Sequence, residues 1–160
     1  MAGFAIARAL HVLAIVVWIG GVAFVTLVLL PALRRSRPAG ERLALFDLLE
    51  ERFAGHARWA TALAAASGFY MTWRLDAWDR FAAAGFWWMH AMVATWLVFT
   101  LMLFVIEPLF LHRFLARRSA VAPEATWRLI ERLHRVLLAL GLVTVAGAVA
   151  GAQGLNLFAW

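Results

Sequence analysis

The sequence predicts an all-α integral membrane protein: a four-transmembrane-helix bundle with both termini periplasmic and a short amphipathic helix in its first cytoplasmic connection. Three observations predict it. Of 160 residues, 65% are hydrophobic and only 15% are charged, against about half and a quarter in a soluble domain. A chain this short keeps much of its surface in contact with solvent, so the apolar excess needs lipid around it. Four apolar runs are long enough for the roughly 20 residues that a helix needs to cross the hydrocarbon layer. The arginines gather on one side of those runs.

The helices are expected at about 4–33, 56–75, 85–112 and 130–158, within one domain spanning 1–160. The first run is too long for a signal-peptide core and leads into Pro31-Ala-Leu-Arg-Arg35 without a small-residue cleavage site, so it is expected to stay in the mature protein. The connection between runs one and two, with its flanks, carries Arg34, Arg35, Arg37, Arg42, Arg52 and Arg58. That between runs three and four carries Arg113, Arg117, Arg118, Arg128, Arg132 and Arg135. The other side has Arg8, Arg74 and Arg80, and twelve against three is a positive-inside bias. The net charge of +6 is therefore a topology signal meeting anionic lipid, and no nucleic-acid partner is expected. The implied location is a bacterial inner membrane.

Within residues 39–53, Leu45, Leu48, Leu49, Arg52 and Phe53 recur at helical spacing and predict the surface helix. Residues 119–127 read as a cap and lead into the fourth run. Trp73, Trp78, Trp87, Trp88 and Trp160 are expected at the outer interface, and Trp59 and Trp127 at the inner one. Gly141, Gly147 and Gly151 make the fourth helix thin, for close packing or for a flat cofactor.

Chemistry is restricted. The chain has no Cys, which excludes disulfides, thiolate metal sites and Cys nucleophiles, and no Lys, which excludes Schiff-base catalysis. Ionisable residues inside a membrane are costly and mark functional candidates. His11 and His90 both lie roughly 8–10 Å inside the outer boundary by helical rise. They sit on helices that run in the same direction, an arrangement that would hold a haem iron from both sides. Trp18, seven residues from His11 and on the same face, would pack on the porphyrin. Arg8 and Arg74 would pair with its propionates. The expected cofactor is haem b, with the iron on His11 and His90. His112 and His134 form a second-tier pair at the inner end, for a second haem or another metal, and Glu107 is expected to pair with an inner arginine. Copper is the alternative metal, because Met89-His90-Ala-Met92 offers soft donors beside an imidazole. Met92, however, lies about 200° around the helix from His90.

The segment Ala9-Leu-His-Val-Leu-Ala-Ile-Val-Val-Trp-Ile-Gly-Gly21 resembles the first helix of the superfamily of HemJ-type protoporphyrinogen oxidases and CopD-type copper-resistance membrane proteins. Glu51-Arg52, Ser67-Gly68 and Trp88-Met-His-Ala-Met92 fall where that superfamily has its counterparts. The resemblance implies a helical membrane bundle and, from the oxidases, a b-type haem held by the first-helix histidine, here His11. His90 matches the third-helix histidine. The oxidases carry His-x-Lys there, whereas this chain has Met92 at the lysine position. The expectation is a haem b-binding redox protein, for electron transfer or haem-based oxidoreduction. A protoporphyrinogen-oxidase-like enzyme and a copper-handling membrane protein are the alternatives. Expected partners are the lipid bilayer and a quinone or other small redox partner, with a homodimer left open.

Overall fold

The computed structural model describes residues 2–155; the side chains of Ala39, Gly40 and His112 lie outside that description, as do Trp160 and the end of the fourth predicted run. The described residues are all-helical, without strands. Helix α1 spans Ala2–Ser36 and α2 spans Ala39–Arg74. Helix α3, Trp87–Leu101, continues as a π-helix over Met102–Leu111. Helices α4, His112–Val121, and α5, Pro123–Ala152, complete the chain. Three segments are long and apolar enough to cross a membrane: Ala2–Ser36, Ala84–Leu111 and Pro123–Ala152. Their large apolar side chains point outward, Val16 at 61% exposure and Val143 at 67%, as lipid-facing surfaces require.

Prolines explain the irregular turns. A helical proline lacks an N–H, and its ring crowds the carbonyl four residues back. Ahead of Pro31 the helix widens over Val25–Leu29, where the Leu30 N–H donates to the Val25 carbonyl five residues back. Pro108 sits inside the π-helical part of α3. Such wide turns often accompany functional sites.

The first connection differs from the expected surface helix followed by a separate crossing. α2 is one uninterrupted helix of 36 residues. No proline breaks it, and it is rich in Ala, Leu, Glu and Arg, all good helix formers. Its inward face also differs. Leu48 and Leu49 are exposed, while Leu43, Phe46, Ala54, Ala57, Thr61 and Ala64 are buried. These positions advance by three or four residues and form one continuous stripe, with Glu50 in register between Phe46 and Ala54. The alanines let α2 lie close along α1.

Two core clusters follow. Ala14, Trp18, Ile19, Val22, Ala60, Ala64, Phe99 and Leu138 form one. Leu30, Leu33, Leu43, Phe46, Leu115, Trp127 and Ile130, with Val25, form the other at the arginine-rich end. Trp127, expected at the lipid boundary, is fully buried there and its Nε1 donates to Glu131 at 2.9 Å. The glycines of α5 receive neighbouring side chains: Ile19 lies over Gly141, Trp87 over Gly147 and Trp88 over Gly151. Gly151→Leu would overlap the Trp88 indole and is expected to destabilise the bundle by about 1–3 kcal/mol, read as a lower thermal midpoint in detergent.

Candidate functional site

Four histidines have described side chains, and three of them bond a backbone carbonyl through Nδ1. His56 and His134 use carbonyls of their own helices, Arg52 at 2.8 Å and Ile130 at 3.0 Å. His11 alone reaches another helix. Its Nδ1 lies 2.8 Å from the Ala64 carbonyl and 3.1 Å from Ser67 Oγ. The Ala64 carbonyl can only accept, and the Ser67 hydroxyl donates to the Leu63 carbonyl at 2.6 Å. The proton must then be on His11 Nδ1, which leaves the Nε2 lone pair without a hydrogen bond among the described residues. An imidazole fixed through one nitrogen with the other presented outward is the usual posture of a metal ligand. Gly68 makes room for the ring: a Cβ there would lie 3.2 Å from His11 Cε1.

The other predicted haem residues are arranged differently. His90 is exposed and meets the Phe81 ring edge-on at 5.3 Å. No hydrogen bond or ring contact joins it to His11 among the described residues. Its neighbour Met89 is buried, so the two donors of the copper reading face different surroundings. Trp18, expected against a porphyrin, is a core residue at 3% exposure, packed edge-on against Phe99 at 4.9 Å. Arg8 and Arg74 are exposed and make no ion pair among the described residues. His11 is thus anchored to α2 while His90 packs on Phe81, and the two rings are not brought into contact with each other among the described residues.

At the arginine-rich end, polar groups cross-link the helices. Arg58 of α2 donates from Nη2 to Glu107 at 3.1 Å and from Nε to the Leu103 carbonyl at 3.0 Å. In a π-helix that carbonyl would be served by the N–H five residues on, which is Pro108 and has none. The arginine satisfies the acceptor that the proline leaves open, and Glu107 has the arginine partner expected of it. Glu131 accepts from Trp127, from Arg34 at 2.8 Å and faces Arg135 at 3.5 Å. The second-tier pairing of His134 with His112 falls on a side chain outside the described residues.

A cavity of about 60 Å³ lies between these cross-links and the centre of the bundle. Trp18, Glu50, Phe53, Phe99, Glu107 and His134 are among its walls. It has room for several waters.

Comparison with known protein families, with curated proteins and with solved structures finds no match to this chain. Sequence reasoning missed the residues that fix His11, although Ser67-Gly68 is visible as a small-residue step in α2. It also missed Glu50, whose place in the buried stripe is readable only once Leu43, Phe46, Ala54 and Ala57 are aligned.

Proposed function

We propose that the chain is a four-crossing bundle of the bacterial inner membrane, both termini periplasmic, which binds a b-type haem through His11 and serves in redox chemistry. One observation carries this reading: His11 is tied by Nδ1 to α2 with Nε2 left as a donor, in the half of α1 remote from the arginine clusters. The arginine asymmetry supports the orientation, and α2 supplies the fourth crossing through its Ala-rich part, where Trp59 at 81% exposure suits a lipid boundary. Bound haem would supply the one-electron chemistry. The chain's own contribution is to hold the imidazole in one tautomer and one orientation, to make space beside it at Gly68, and to offer Arg8 and Arg74 at the same membrane level for carboxylates. The resemblance of the His11 segment to the HemJ and CopD superfamily supports the same reading.

The test is the protein purified in detergent, with oxidised and dithionite-reduced spectra and a haem count per chain. A reduced b-type band at about one haem per chain is the expected result. A colourless protein carrying copper would replace haem with the copper reading, and a protein with neither would leave a packing histidine.

A further inference from the structure

The cavity at the arginine-rich end has features that the haem reading does not use. Its walls are mostly apolar, yet Glu50 and Glu107 enter it from α2 and α3. Glu107 is held by Arg58, whereas Glu50 makes no hydrogen bond or ion pair among the described residues. Farther in, Trp18 lines the same cavity. Its side chain is buried, and its Nε1 N–H has no hydrogen-bond partner among the described residues. A buried donor without an acceptor costs about 1–3 kcal/mol, and a water bridging it to the carboxyls would remove that cost. The volume suits a few such waters.

We propose that this cavity is a hydrated proton-loading site, in which a short file of water runs from the Trp18 N–H to the Glu50 carboxyl and Glu50 exchanges its proton with the aqueous phase at the arginine-rich face. In one exchange Glu50 releases a proton to a cavity water and takes one back from that phase, so nothing is oxidised or reduced. The proposal is independent of haem.

Electrostatics agree with the geometry. Burial pushes the Glu50 carboxyl up to about 8, with the negative charges of Glu107 and Asp47 adding to the effect. The groups around it are Asp47 on its own helix, Glu107 with its partner Arg58, and His134 from α5. At neutral pH Glu50 is therefore a carboxylic acid with a proton to give, and a separate surface cleft lined by Asp47, Glu51, Arg58 and Glu107 shares Glu107 with the cavity.

Infrared difference spectroscopy of the full chain in lipid nanodiscs tests this. A protonated carboxyl band is expected at pH 7, absent in Glu50→Gln, lost as pH rises through about 8, and shifted promptly in D2O. Trp18→Phe, which keeps the ring but removes the donor at the inner end of the file, is expected to move the band to a different frequency with its exchange into D2O retained. If Glu50→Gln leaves the carboxyl spectrum unchanged, or the band resists D2O for hours, there is no hydrated proton site. If Trp18→Phe leaves the band frequency unchanged, the water file does not reach the indole and the proposal fails in the form given. Helical circular dichroism of each variant confirms that the bundle is intact, and Glu50→Asp is expected to restore a titrating band.

Discussion

On the proposed haem reading, His11→Ala is expected to abolish the b-type spectrum of the purified protein while leaving its helical content unchanged. The substitution removes the Nε2 donor and the bonds from Nδ1 to Ala64 and Ser67. Those bonds are few and the ring is only half-buried, so the packing of α1 on α2 survives through Ala14, Trp18 and Ile19. His90→Ala is the contrasting variant. The ring is exposed beside Phe81, and its loss is expected to leave most of the haem bound. Exogenous imidazole restoring a b-type spectrum to His11→Ala, and not to a Gly68→Leu variant whose side chain fills the space beside the ring, would identify the vacated coordination position. Equal loss of haem in both alanine variants would show that His90 is also a ligand and that the two rings meet in the loaded protein.

Glu131→Ala is expected to be the most destabilising single change at the arginine-rich end. The carboxylate is buried and accepts from the fully buried Trp127 and from Arg34. Its removal strands an indole N–H inside the second core cluster and takes the counter-charge from Arg34. Breaking a buried pair by deleting one partner costs about 3–5 kcal/mol; the half-exposed Arg34 recovers some hydration, so a loss of about 2–4 kcal/mol is expected. Chemical unfolding in mixed detergent measures it. Glu131→Gln retains an acceptor for Trp127 and is expected to lose less than half as much. If the alanine and glutamine variants lose equally, the charge rather than the indole bond is what matters.

Much of the fold is legible in the sequence because hydropathy and arginine placement act over whole segments. The apolar runs of α1, α3 and α5 stand out for that reason. The face of α2 does not, because small alanines and one glutamate occupy it while larger leucines such as Leu48 point outward into solvent or lipid. Size was a poor guide there; a thin stripe is what close contact with α1 demands. Trp127 misled for a related reason. A tryptophan at a helix start suggests an interface, but Glu131 four residues on is the acid that lets its N–H be buried. His11 could be singled out by type and depth. Its tautomer could not, since that depends on a carbonyl and a hydroxyl more than fifty residues away.

The contact between Arg58 and the Leu103 carbonyl has an evolutionary consequence. The guanidinium there does the work of an amide that Pro108 cannot provide, so the two positions form a dependency rather than two separate choices. A lineage that replaces the proline frees the arginine to drift, whereas one that loses the arginine first inherits an unmet backbone acceptor. Divergent members of this lineage should therefore keep both residues or discard the proline before the cation.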